Sequence, residues 1–222
     1  MCNTDCFKWA AKNISLEEVR GKRVLEVGSC DVNGSLRYII ELLGPAVYVG
    51  VDIVEGPGVD LVCASDNVVR QFGEESFDIV ISTCVFEHIR DWKKAISNIK
   101  NICKQGGIIL FIVPSNWPFH EYPYDFWRYG KEDIKYIFSD CHVLELVEDA
   151  RAPSLVYSKI RKPKPFAEKD ISAYQLYSIV ANKRTDEIRD KDFNSSYFKR
   201  MIIKNRIKEA VLRIGGNILG RV

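Results

Sequence analysis

No stretch of this 222-residue sequence is long and apolar enough to cross a bilayer. Gly106 to Phe119 is free of charge, but Pro114 and Pro118 interrupt it, and a spanning helix needs about 20 apolar residues. Met1 to Lys8 shows no apolar core behind a basic start, so no secretory signal is legible and a cytoplasmic address is expected. The seven cysteines form no C-x-x-C pair. Cys30, Cys63, Cys84, Cys103 and Cys141 stand in or beside apolar runs, which reads as reduced, partly buried thiols and not as a disulfide framework. Cys2 and Cys6 lack the third cysteine of an iron-sulfur run, since Trp9 occupies its place, and no nearby histidine completes a zinc set. No metal site is expected.

What is present is ordinary globular composition, 46% hydrophobic and 28% charged, which excludes wholesale disorder. The net charge of +2 hides an asymmetry: residues 183–222 carry +6 and residues 1–182 carry −4. From Lys22 onward strand and helix signals alternate, the signature of an α/β fold. Strands are expected at 24–27, 47–53, 60–63, 77–82, 107–113, 142–148 and, last, 174–181. Helical segments are expected at 35–43, 68–72, 92–103 and 131–138, and an irregular basic and proline-rich insert at 161–165. The chain divides into a domain over 1–183, with a lid or acceptor segment at 114–130, and a basic helical tail over 184–222.

Glu26-Val27-Gly28 closes the first strand and Asp52 the second, which places two carboxylates at neighbouring carboxyl edges of a parallel sheet, where open α/β sheets bind ligands. A carboxylate in the second position accepts two hydrogen bonds from a ribose diol, and Gly28 lets the backbone approach the ligand. NAD and S-adenosylmethionine both meet that description. The loop Gly28-Ser29-Cys30-Asp31-Val32-Asn33-Gly34 lacks two of the three glycines that cradle a pyrophosphate. Its acidic neighbours, Glu26 and Asp31, suit an ammonium and a sulfonium better.

Val24-Leu25-Glu26-Val27-Gly28-Ser29, Val49-Gly50-Val51-Asp52-Ile53, Ser76-Phe77-Asp78-Ile79-Val80-Ile81-Ser82, Phe86-Glu87-His88-Ile89 and Lys104-Gln105-Gly106-Gly107-Ile108-Ile109-Leu110 occur in an order and spacing that resemble the class I S-adenosylmethionine-dependent methyltransferases, in particular the type-11 group. The resemblance covers residues 20–115 strongly and extends loosely to about 183. It implies a Rossmann-like, doubly wound, seven-stranded and mostly parallel sheet with an antiparallel final hairpin, and S-adenosyl-L-methionine as cofactor. It also implies Glu26, Gly28 and Ser29 around the methionine moiety, Asp52 on the ribose, Ile53 against the adenine, and Thr83 or Cys84 beside the sulfonium. Two positions depart from the family pattern. Cys30 and Val32 stand where further glycines are usual, and Ala64 stands where an acid follows the third strand, so that Ser65 or Asp66 must substitute.

The stretch from Trp117 to Tyr129 holds seven aromatics in thirteen residues. It resembles an H-x-Y-P-x-D-x-W-R-Y stretch of type-11 members associated with glycans. Aromatic faces stack on sugar rings, and His120 with Asp125 is the expected catalytic pair for a hydroxyl acceptor. Equally, Phe126, Trp127 and Tyr129 fit a sealing role in the core. His88 is a second candidate base, with capping of the following helix or a structural place in the pocket lining the favoured reading. The D/N-P-P-Y/F loop of exocyclic-amine methyltransferases is replaced by Ser82-Thr83-Cys84-Val85-Phe86. Methyl transfer to a hydroxyl of a small molecule or glycan is therefore the leading reading. An RNA-modifying enzyme is the second and a non-catalytic cofactor-binding scaffold the third. The tail from Ser196 to Arg213, with six basic residues and one acid, fits packing on its own body or in a homodimer better than nucleic-acid or membrane contact.

Overall fold

The structure, a computed structural model, describes residues 4–32, 34–120 and 124–219. Cys2, Asn33, Tyr122 and the end of the tail lie outside it, as do the side chains of Leu212 and Ile214. In chain order the elements are α1 (Thr4–Asn13), α2 (Leu16–Val19), β1 (Arg23–Val27), α3 (Arg37–Leu42), β2 (Val47–Asp52), β3 (Leu61–Val62), α4 (Val68–Phe72), β4 (Phe77–Thr83), α5 (Trp92–Ile102) and β5 (Cys103–Pro114). They continue with β6 (Trp127–Arg128), α6 (Lys131–Ile137), β7 (His142–Glu148), β8 (Leu155–Arg161), β9 (Leu176–Ser178), β10 (Lys183–Thr185), α7 (Asp190–Phe193) and α8 (Ser196–Leu219).

Seven strands form one sheet in the order β3-β2-β1-β4-β5-β8-β7. The first five run parallel, and β8 is antiparallel to both β5 and β7. The central strands are apolar on both faces because helices cover both, and their side chains alternate with period two. Val24, Ile79, Ile81, Leu110 and Ile112 meet α1, α2 and α3 through Cys6, Ala10, Val19, Leu36 and Ile40. On the opposite face Leu25, Val27, Val80, Phe111 and Val113 meet Trp92, Ile96 and Ile99 of α5 and Ile134 and Ile137 of α6.

The expected fold class is observed, but the final hairpin is β7 with β8, not β7 with 174–181. The latter stretch contributes only β9, which sits between β6 and β10 in a separate three-stranded sheet. The sequence does not announce β8, because Lys159 and Arg161 stand at the end of an otherwise apolar run. Lys159 is satisfied by Glu18 of α2 at 2.7 Å, and the neighbouring Lys162, fully buried, donates to the Cys103 carbonyl at 2.8 Å. The division at Lys183 falls at the start of β10, and Ile188 and Phe198 beyond it join the main core.

Candidate functional site

β1, β2 and β4 end side by side, at Val27, Asp52 and Thr83. β1 is the strand across which the connections change direction, so the crevice above its end is the switch point of the sheet. Gly28 leaves β1 with φ +80°, and a Cβ there would stand 2.0 Å from a methyl of Val85. The loop after β1 is thus pressed against the turn after β4, and only glycine passes. Gly28 and Ser29 donate their amides to the Val51 carbonyl at 2.8 and 3.0 Å, and Cys30 donates to Asp52 Oδ2 at 3.1 Å.

The glycines missing from this loop are supplied from across it. A Cβ on Gly56 would meet Cys30 Sγ at 2.6 Å, and one on Gly58, at φ +81°, would meet the Ser29 carbonyl at 2.7 Å. Asp31 is drawn into the loop itself, accepting from the Gly34 amide at 2.7 Å and the Tyr38 hydroxyl at 2.9 Å.

Glu26 lies on the α3 face of β1 and is 1% exposed. Tyr48 donates to it at 2.8 Å and Ser35 at 3.0 Å. Burial raises its pKa to about 7 against the pull of those two hydroxyls. Its carboxyl therefore supports the loop from beneath, a place different from the open strand end the sequence suggests. Asp52 is partly exposed at the rim, its Oδ1 accepting from the Ile53 amide at 2.7 Å, and Ile53 beside it is 59% exposed. The buried hydroxyls of Ser29 and Ser82 have no hydrogen-bond partner among the described residues.

Two expected contacts fall elsewhere. Cys84 takes the left-handed conformation at φ +53°, which turns its thiol onto Cys6 of α1, and that contact together with burial raises its pKa well above the usual range. It backs the crevice through α1 instead of lining it, whereas Thr83 holds the strand end. Asp66 is committed to Lys94 of α5 at 3.0 Å, and the mostly buried Ser65 opens the short turn Ser65–Asn67.

Beyond Thr83 the chain makes the turn Phe86–His88. The aromatic segment closes over it: the Phe126 amide donates to the Glu87 carbonyl at 2.8 Å, Trp127 Nε1 to the Ile89 carbonyl at 3.0 Å and the Tyr129 hydroxyl to the Phe86 carbonyl at 3.1 Å. Phe126, Trp127 and Tyr129 are accordingly core residues. This docking brings His120 against His88, ring centroids 5.0 Å apart and planes at 86°. His120 Nδ1 is 3.1 Å from Asp125 Oδ2 and 3.2 Å from the Pro118 carbonyl. Burial works against charge on His120, but Asp125 outweighs it and the pKa lies above the ordinary histidine value. Burial likewise opposes the Asp125 carboxylate, yet Arg128, donating at 2.6 Å, and His120 hold its pKa below the usual range. His88 does not cap α5. Asp91 does, accepting from the Lys94 amide at 3.3 Å, while His88 Nδ1 faces the Tyr124 carbonyl.

Glu87 and Arg128 were not read as site residues. Only the adjacency of Glu87 to His88, and of Arg128 to the aromatic run, could have pointed to them. A cavity of about 830 Å³ flanks the segment, lined by Trp117, Phe119, Arg128, Tyr177, Arg184 and Lys204 among others, and takes none of the crevice residues.

The open carboxylate of Asp52, the glycine cradle and the unpartnered Ser29 hydroxyl suit a ligand with a ribose diol and an amino-acid tail. A family model described as a methyltransferase domain matches residues 6–150. The chain belongs to the class I S-adenosylmethionine-dependent methyltransferases. This methyltransferase is 31% identical over 127 residues to phthiotriol/phenolphthiotriol dimycocerosates methyltransferase 1 of Mycobacterium ulcerans, a match spanning 51% of this chain and 46% of that protein. It is 29% identical over 109 residues to the corresponding Mycobacterium leprae protein, spanning 43% and 40%. The matched region is thus less than half the length of these relatives. Among solved structures it resembles the 1,6-didemethyltoxoflavin-N1-methyltransferase of Burkholderia thailandensis with bound S-adenosylhomocysteine, at TM-score 0.54 and 14% identity over 71% of this chain and 78% of that one. A putative S-adenosylmethionine-dependent methyltransferase of Listeria monocytogenes gives TM-score 0.52 and 13% identity over 72% and 99%. Both likenesses are of fold. The methyltransferase uses S-adenosyl-L-methionine, and among its described residues no helix is long and apolar enough to cross a membrane.

Proposed function

We propose that this methyltransferase alkylates a hydroxyl group of a small-molecule or glycan acceptor at the cluster formed by His88, His120 and its positioning residue Asp125. The observation that carries the reading is the convergence of two imidazoles and a buried carboxylate one turn beyond the strand that ends in the cofactor crevice. An alcohol is a weak nucleophile until its proton can leave during attack, and such a cluster assists that departure. Arg128 fixes Asp125, Asp125 fixes the His120 ring, and the ring stands against the neighbouring His88 and Glu87.

On this reading Asp52 receives the ribose hydroxyls, Ile53 flanks the adenine, Gly28 and Ser29 take the amino-acid portion, Thr83 stands beside the sulfonium, and Glu26 underpins the loop. When bound, the cofactor supplies an electrophilic methyl group. The residues around it contribute alignment of the acceptor oxygen, a term that reaches about 7 to 11 kcal/mol in well-oriented systems. Mycobacterial relatives named for phthiotriol and phenolphthiotriol dimycocerosates match about half of the chain, which supports a small-molecule acceptor over a nucleic acid.

Incubating a cognate extract with methyl-labelled cofactor and following the label by mass spectrometry identifies the acceptor. On that acceptor His120→Ala is expected to lose about 100- to 10,000-fold in turnover while keeping its affinity for S-adenosylhomocysteine. Near-parental turnover by His120→Ala, or label confined to RNA, would overturn the reading.

A further inference from the structure

We infer that Glu87, His88 and His120 form a binding site for a divalent first-row cation that activates the acceptor hydroxyl. The inference rests on the hydroxyl methylation proposed above and gives its deprotonating centre a physical form.

His88 Nδ1 faces the Tyr124 carbonyl, and His120 Nδ1 faces the Asp125 carboxylate and the Pro118 carbonyl. None of these oxygens can donate, so in both neutral rings the proton sits on Nδ1 and the lone pair on Nε2. The third member, Glu87, is 1% exposed, and its Oε2 has no hydrogen-bond partner among the described residues. Its Oε1 lies 3.7 Å from His88 Nε2, and the three residues each bring one ligand atom to within 4.8 Å of the others. A buried carboxylate and two partly exposed imidazoles are therefore gathered around one point, a set of ligand atoms that a positive charge between them stabilises.

The surroundings are those of a metal centre. Imidazole ligands are oriented by a carboxylate or carbonyl on the nitrogen opposite the metal, and here His120 has the carboxylate and His88 the carbonyl. Arg128 does not compete for the site, because its guanidinium is spent on Asp125 and on the carbonyls of Trp117, Pro118 and Trp127. Adjacent ligands on an ion with bonds of about 2.1 Å stand about 3 to 3.4 Å apart, so the three side chains draw in from a spacing of up to 4.8 Å when the shell closes. Two imidazoles and one carboxylate leave coordination positions open, the pattern of catalytic and not structural sites.

The acceptor oxygen takes one open position. The cation lowers the pKa of the bound hydroxyl, as zinc lowers that of bound water to about 7. The proton passes to solvent, the oxygen forms its bond to the methyl carbon, and the sulfur–methyl bond breaks with its electron pair left on sulfur. The products are a methyl ether, S-adenosylhomocysteine and one proton, with no change of oxidation state. His120 then serves as ligand, and the cation does the work otherwise asked of an imidazole base.

The test uses the full chain stripped with a chelator, titrated with Zn²⁺ by calorimetry and with Co²⁺ by visible absorption. One equivalent per chain is expected, with His88→Ala and His120→Ala weakening it at least 100-fold, Glu87→Gln at least tenfold and Asp125→Asn about 10- to 100-fold. S-adenosylhomocysteine binding reports folding in every variant. Zn²⁺ binding no tighter in the parent than in the double histidine variant assigns it to the thiols and overturns the site. Stoichiometric Zn²⁺ binding with turnover indifferent to its removal overturns the catalytic role. A parent that binds S-adenosylhomocysteine but not Zn²⁺ refutes this inference alone. Tight Zn²⁺ binding without methylation of any hydroxyl refutes the function proposed and upholds the site.

Discussion

Asp52 is held in place by two backbone amides of its own crevice, those of Cys30 and Ile53, so its carboxylate is ordered before any ligand arrives. On the proposed binding mode, removing it leaves the ribose without a charged acceptor. Asp52→Ala is expected to weaken S-adenosylhomocysteine binding by about 1 to 3 kcal/mol in calorimetry, and tighter binding of NAD than of S-adenosylhomocysteine would contradict the assignment. Glu26 makes a different kind of prediction. The folded protein keeps the Glu26 proton up to about pH 7, whereas an unfolded glutamate releases it near its ordinary value of 4.5. The folded state thus binds more protons between these limits, and the stability present below the lower one is lost as pH rises toward the upper. Glu26→Gln removes the ionisation and is expected to flatten that slope, leaving the variant more stable than the parent at pH 8 by about 1 to 3 kcal/mol. Urea midpoints at pH 5 and pH 8 decide it.

At the scale of elements, the aromatic segment before β6 is held by polar contacts as much as by rings. Asp125 is buried, and Arg128 is its cationic partner as well as a donor to the Trp117 and Pro118 carbonyls. Breaking such a pair leaves an uncompensated charge in the interior. Arg128→Met is expected to cost about 3 to 5 kcal/mol of stability, measured by urea unfolding at pH 7. A loss below about 1 kcal/mol would mean that water reaches Asp125. Strands β1 and β4 were legible in the sequence because each is flanked by turn residues and buried on both faces. β8 was not, since the groups that satisfy Lys159 and the following Lys162 are Glu18 of α2 and the carbonyl of the first residue of β5, far away in sequence. The aromatics of residues 117–129 were ambiguous for a similar reason: a tryptophan reads alike whether it walls a pocket or fills a core.

The whole molecule does not end with the last cofactor residue. Arg90 donates to the Ile188 carbonyl at 2.6 Å and pairs with Asp190 at 2.8 Å, and Phe193 and Phe198 set their rings edge-on to Phe126 and Phe119. Farther along α8, Ile203, Ile207 and Val211 are exposed. A chain ending after Arg206 is therefore expected to melt within about 2 °C of the parent, and one ending after Lys183 to melt roughly 5 to 10 °C lower, because it uncovers the segment that carries His120. Both are expected to bind S-adenosylhomocysteine, since Gly28, Ser29, Asp52 and Thr83 all precede α5. Differential scanning calorimetry with and without the ligand tests the two together.

The sequence by itself determined the α/β order and the cofactor half, because β1, its loop and β2 are consecutive and their hydrogen bonds close over short distances along the chain. That Gly28 follows β1 and Asp52 ends β2 can be read from spacing alone. Only the tertiary structure decided that Glu26 lies beneath the loop, that Gly56 and Gly58 make room for Cys30 and the Ser29 carbonyl, and that Cys84 turns to Cys6. It also decided that His120 meets Glu87 and His88 across the whole of α5 and β5. That meeting depends on the seating of Phe126, Trp127 and Tyr129 against the turn after β4. Long-range packing sets where a side chain finally points, and residue spacing carries no record of it.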